Sequence, residues 1–144
     1  MRYQIRSFLN VGNREVFEFC RSRQGFCSHF PFPVEWKEGA DVSWEEGDFI
    51  DFRYRAYGIW LRHRARVSAC DPPRMFTDVQ ETGLYRKFVH THRFEPEGNG
   101  TWVIDDIEFT LGYGALLDRL FGWPTIHAVF RKRHRNLQKI FGLG

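Results

Sequence analysis

Phe88-Val89-His90-Thr91-His92-Arg93-Phe94 is the stretch on which the fold turns. Phe88, His90, His92 and Phe94 fall on one side of an alternating pattern, with Val89, Thr91 and Arg93 on the other. A period of two is the signature of a β-strand. A surface strand shows one apolar and one polar face. Here the more aromatic face carries two imidazoles in its middle. That mixture suits the wall of an internal pocket, where aromatic surface surrounds a few placed polar groups.

The segments on either side extend the pattern. Residues 48–57, 59–70, 74–81, 85–95 and 101–111 read as strands, separated by Gly58, Pro72-Pro73, Gly83 and the run from Pro96 to Gly100. Connections this short make neighbours pair antiparallel, as a meander. Residues 2–9 give a first strand and 34–37 a short one. Between them Asn13 is expected to cap a helix over 14–21, whose buried side is Val16, Phe17, Phe19 and Cys20. A second short helix follows over 22–29, and Pro31 and Pro33 end it. Near the C-terminus the period changes. Ile126, Val129, Phe130, Leu137, Ile140 and Phe141 recur at helical spacing, predicting a long helix from about 124 to 141. Pro124 suits its first turn, and Gly122 is expected to separate it from the stretch 115–121. The fold class is therefore α+β: a curved antiparallel sheet of six to seven strands, two short helices after the first strand, and a C-terminal helix covering the apolar face of the sheet.

The 144 residues read as one domain, 1–144. A chain of this length buries roughly 68–70% of its unfolded surface, enough for a core without metal or disulfide support. Aromatic residues reach 17%, with 15 Phe, and a fold that walls a cavity uses them well. The net charge of +3 comes from 21 basic and 18 acidic residues that are interspersed. That balance argues against nucleic acid as a partner. Cys20, Cys27 and Cys70 are odd in number and form no C-x-x-C pair, so they read as reduced, core or half-buried thiols of a cytoplasmic protein. Met1 to Arg6 lacks the apolar run of a signal peptide, and no 18-residue apolar run is present.

Several motifs together resemble a known superfamily. They are Phe76-x-Asp78-x-Gln80, Gly83 followed by Phe88-x-His90-x-His92-x-Phe94, Gly100-Thr101 leading to Asp105, Leu111-x-x-Gly114, and Arg133-His134-x-x-Leu137. Over almost its whole length the chain resembles the START-like, or SRPBCC, ligand-binding superfamily with the Bet v 1-type helix-grip fold. It departs at Gly83-Leu84-Tyr85, where similar sequences often read Gly-Pro-Phe, at Phe88 in place of Trp, and at Gly112 in place of Pro. The resemblance implies a sheet wrapped around a helix with an apolar ligand between them. Its members include lipid carriers, polyketide cyclases, hormone receptors and quinone-binding proteins, so it implies a fold more sharply than a function.

Strand pairing assigns the inner face, because opposed residues of an antiparallel hairpin share a face. A hairpin centred on Pro72-Pro73 sets Ala69 against Phe76, Val67 against Asp78 and Ala65 against Gln80. The next, centred near Leu84, sets Gln80 against Phe88, Asp78 against His90 and Phe76 against His92. The loop 96–100 sets His92 against Asp105 or, with a two-residue slip, His90 against Asp105. The inner face then carries Asp78, Gln80, His90, His92, Asp105 and His63 among Phe52, Tyr54, Leu61, Phe76, Phe88, Phe94, Ile107 and Phe109. Phe130 belongs to the apolar arc of the last helix, and Arg133 lies inside that arc between Ile126 and Ile140. A cation there needs a carboxylate, Asp78 or Asp105.

This grid supports three chemistries besides a purely structural network. It could orient the polar end of an apolar ligand such as a polyketide, a quinone or a fatty-acid-like molecule. His90, His92, Asp78 and Asp105 could perform acid–base work of the cyclase or dehydratase type, since an imidazole paired with a carboxylate accepts protons near neutrality. Two His and an Asp could hold zinc; without a further ligand at a telling spacing, neither metal nor cofactor is assigned. The leading reading is a carrier or binding protein, with an enzyme second and a protein-interaction module third. Arg53, Arg55, Arg62, Arg64, Arg66, Arg131, Lys132, Arg135 and Lys139 read as solvated faces, with transient contact to an anionic membrane surface open to them. Trp60 and Trp102 fall on the outer face, where exposure would point to a homodimer rather than a monomer or to a lid. Trp44, after Gly39-Ala40-Asp41-Val42-Ser43, is expected in a flexible loop near the pocket mouth.

Overall fold

The computed structural model describes residues 1–142. The chain runs β1 (Arg2–Leu9), α1 (Asn13–Cys20), α2 (Arg23–His29), β2 (Val34–Glu38), β3 (Phe49–Ala56), β4 (Ile59–Asp71), β5 (Met75–Thr82), β6 (Lys87–Glu97), β7 (Gly100–Thr110), α3 (Ala115–Leu117), a π turn (Asp118–Gly122) and α4 (Trp123–Phe141). The strands form one antiparallel sheet in the order β1-β7-β6-β5-β4-β3-β2, and α4 lies against it. This is the expected helix-grip arrangement. No helix of the described residues is long and apolar enough to cross a membrane.

Local chemistry explains most boundaries. Tyr57 and Gly58 both take positive φ, so they form the primed two-residue turn that matches strand twist and joins β3 to β4. Ser22 caps α2 by accepting from the Gly25 amide at 3.0 Å. Asn13 does not cap α1. The cap position is Gly12, and Asn13 is the first helical residue.

Two further expectations fail for identifiable reasons. A bulge at Ser68 sets Cys70, not Ala69, opposite Phe76, although Val67–Asp78 and Ala65–Gln80 pair as expected. One extra residue on β4 bends that strand and increases its twist, as a curved sheet requires. Gly122 does not separate two helices either. It lies in the π turn that runs without a break into α4. Its role is steric, since a Cβ at this position would stand 2.6 Å from the Phe109 ring. Asp118 ties the same turn to the end of β7, accepting from the Leu111 amide and from Thr110 Oγ1, each at 2.8 Å.

The interior has two aromatic clusters. Leu9, Val16, Phe17, Val67, Phe76, Phe94 and Leu137 belong to one. Tyr3, Phe88, Ile107, Phe109, Ile126 and Phe130 form the other. The opening stretch joins them: Phe94 sits in the first, Phe88 in the second, and the two imidazoles lie between. Ile140 is largely exposed, so the buried stripe of α4 is Ile126, Phe130, Arg133, His134 and Leu137.

Candidate functional site

The registers put Asp78 opposite His90 and His92 opposite Asp105. The hydrogen bonds run along the diagonals instead. His90 Nε2 is 2.8 Å from Asp105 Oδ1, and His92 Nε2 is 2.7 Å from Asp78 Oδ2. Imidazoles reach far enough to pair diagonally across strands. Crossing in this way stacks the two rings with centroids 3.5 Å apart. His92 also stacks on Phe76 at 4.0 Å, and Phe130 meets His90 edge-on at 5.0 Å.

Asp105 is fully buried and collects three donors. His90 binds one oxygen; the Arg133 guanidinium and His134 Nε2, at 2.6 Å, bind the other. His134 Nδ1 in turn is 2.8 Å from Ser7 Oγ on β1. Burial works to raise the Asp105 carboxyl, but Arg133 and the two imidazoles outweigh it and hold it well below the usual carboxylate range. Burial likewise opposes ionisation of Asp78, and the His92 hydrogen bond overcomes it, leaving that carboxyl below its ordinary value. Burial, aided by the neighbouring His90, pushes His92 down to about 4, so its ring is neutral at physiological pH. His63 is also held below its usual value, by burial first.

This network forms one end of a cavity of about 210 Å³ between the sheet, α2 and α4. Phe26 and Phe30 of α2, Phe52 and Tyr54 of β3, Phe88 of β6 and Phe130 of α4 supply aromatic wall. Exposed Tyr57, Leu84 and Thr125 stand where the cavity meets solvent.

Of the expected site residues, Phe52, Tyr54, His63, Asp78, Phe88, His90, His92, Phe130 and Arg133 line the cavity. Six others do not. Phe76 and Phe94 are packed into the first core cluster. Ile107 and Phe109 are buried in the second. Asp105 stands behind the histidines, away from the cavity surface. Gln80 braces the β5–β6 turn, donating to the Tyr85 carbonyl at 2.5 Å. Alternation finds the inner face, but that face is long, and only its middle borders the void.

The sequence reading overlooked three contributors. His134 follows Arg133 on α4, so both reach the same carboxylate from one turn; the Arg133-His134 dipeptide was the available signal. Phe26 and Phe30 sit four residues apart on one side of α2 and its end. Trp44 is buried rather than in a mobile rim, with its indole donating to the Ala40 carbonyl at 2.7 Å and its amide to the Arg21 carbonyl at 3.2 Å. On the outer face a guanidinium lies over each of Trp60 and Trp102, from Arg53 and Arg6 respectively, and Trp60 stays exposed. Cys20 is buried and Cys70 half-buried, but Cys27 is exposed, contrary to expectation.

Asp78, His90 and His92 can present ligand atoms within 4.8 Å of one another, a spacing a metal ion could bridge. Their hydrogen bonds stand against that use. Both nitrogens of His92 are engaged, Nε2 by Asp78 and Nδ1 by Arg133 at 3.4 Å.

The fold has clear structural counterparts. A Chromobacterium violaceum protein superposes with a TM-score of 0.78 at 11% identity, over 99% of this chain and 98% of its own. Ginseng major latex-like protein 151 from Panax ginseng gives 0.74 at 12% identity, over 98% of this chain and 97% of its own. Ara h 8.0201 gives 0.73 at 12% identity with the same coverage. These likenesses establish the Bet v 1-type helix-grip fold. No family model matches the sequence, and no curated protein does.

Proposed function

We propose that this protein binds a compact apolar small molecule between its sheet and α4, as a carrier or binding protein. The observation that supports this most is the cavity itself: an aromatic-walled space of about 210 Å³ with ionisable groups gathered at one end. Close-packed interiors leave few voids larger than a water molecule, and an apolar void forfeits contacts on every side. A polar cluster serving only to hold the fold would need no such space beside it. Ligand pockets typically run from roughly 300 to 1,000 Å³, so this one suits a small ring system better than a long acyl chain. Mass spectrometry of the purified protein under non-denaturing conditions tests the proposal. A discrete mass adduct, released by organic solvent, is the expected result; apoprotein alone, with no adduct after incubation with small aromatic compounds, would overturn it.

One observation favours acid–base chemistry as a second reading. His90 is anchored through Nε2 on Asp105, which leaves Nδ1 as the atom able to take a proton from a ligand in the cavity. A base must be oriented before its strength matters. His90→Gln would then abolish turnover of a substrate while sparing its binding; unchanged turnover would end this reading.

A further inference from the structure

The polar end of the cavity is built for a particular kind of ligand. Asp78 accepts from His92 through Oδ2 at 2.7 Å, and Oδ1 has no partner among the described residues. The tautomer of His92 follows from its neighbours. A guanidinium can only donate, so Arg133 at Nδ1 leaves the ring proton on Nε2, facing Asp78. Arg133 is ion-paired with Asp105, not with Asp78. Asp78 therefore lines the cavity as a carboxylate supported by one neutral donor, with an oxygen free and no permanent cation bonded to it. His63 also lines the cavity, and neither of its ring nitrogens has a partner among the described residues.

Such an arrangement discriminates by hydrogen-bonding polarity. A ligand hydroxyl can donate to Asp78 Oδ1. An ether or carbonyl placed there meets lone pairs with lone pairs and leaves a buried acceptor unsatisfied. A ligand carboxylate brings a second negative charge into a low-dielectric site, where like charges disfavour one another strongly. The aromatic walls and the small volume favour a flat ring system of about two fused rings.

From this we infer that the cavity selects a neutral, hydroxylated aromatic compound whose hydroxyl donates to Asp78, and that it rejects carboxylates, fatty acids included. The inference rests on the reading of the cavity as a small-molecule site and deepens it.

Isothermal titration at neutral pH with 2-naphthol, 2-methoxynaphthalene and 2-naphthoate tests both together. The three share a ring system and differ at one substituent. The expected result is that 2-naphthol binds at least about tenfold more tightly than either of the others, the scale of one satisfied hydrogen bond to a charged group. In Asp78→Asn the amide oxygen can accept from His92 while the NH₂ faces the cavity, so the discrimination against 2-naphthoate should narrow by at least about tenfold. Equal binding of all three compounds by the unmodified protein would overturn the inference and leave the cavity reading intact. Tightest binding of 2-naphthoate would overturn it as well. Failure of all three to bind would overturn both. The ranking on the unmodified protein decides the matter even if Asp78→Asn does not fold.

Discussion

Asp105 shows how a charge can sit fully buried at no visible loss of order. Its two oxygens take donors from β6 and α4, and the guanidinium among them brings the opposite charge. Removing the carboxylate charge leaves Arg133 buried without its counter-ion, which costs about 3–5 kcal/mol. Asp105→Asn should therefore lower unfolding free energy by that amount in a urea titration. A loss under about 1 kcal/mol would mean that Arg133 finds another partner. The histidines make a separate prediction, about pH. In the folded protein His92, His63 and His29 are all held below their ordinary values, burial being the first cause for each. The unfolded chain thus takes up protons that the folded chain refuses, and stability falls as pH drops from 6.5 towards 4. For His92 alone the loss between about pH 7.5 and pH 5 is on the order of 2 kcal/mol. Asp78 and Asp105 lie below their ordinary value of 3.8, so their contribution is lost only at still lower pH. Urea titrations at the two pH values should show the first loss, and His92→Gln should reduce it; a flat profile would contradict the assignment. At this scale the sequence was informative up to a point. Register arithmetic identified His90, His92, Asp78 and Asp105 as one group. It could not say which imidazole bonds which carboxylate, because opposition is a property of Cα positions and the rings reach across the diagonal.

Elements place this network, and two of them do so through close approach. At Gly122 the π turn runs against the Phe109 ring with no room for a methyl group. Gly122→Ala should destabilise the protein by about 1–3 kcal/mol, the usual range for overpacking a core, as read from thermal or urea unfolding. An unchanged midpoint would show that α4 can shift without loss. The same approach explains why the glycine was misread. In a sequence, a glycine before a helical run suggests a break; only the partner surface reveals that it permits contact. Strand periods, the break at Gly58 and the length of α4 were all legible, since each follows from local pattern. The bulge at Ser68 was not, because it answers to the curvature of the whole sheet.

For the molecule as a whole, the division between core and cavity is the organising fact. Phe76 and Phe94 are fully buried in the first cluster, so Phe76→Ala should cost about 3–5 kcal/mol. Phe52, Phe88 and Phe130 instead border space. Sequence alternation assigned Phe52, Phe76, Phe88 and Phe94 to one inner face and could not separate them, because whether a face meets another side chain or a void depends on how far α2 and α4 stand from the sheet.

Ala65 is the position where that division can be tested most directly. It is buried on β4, and its small side chain borders the cavity. Replacing it with Phe adds a ring at the cavity wall and leaves Asp78, His90 and His92 themselves unsubstituted. Titration of the unmodified protein and of Ala65→Phe with 2-naphthol is the decisive comparison, with unfolding midpoints measured on both. The account predicts that Ala65→Phe keeps a midpoint at least as high as the unmodified protein and loses at least about tenfold in affinity. Equal affinity in the two proteins, with the variant folded, would contradict the claim that this cavity is where a ligand binds.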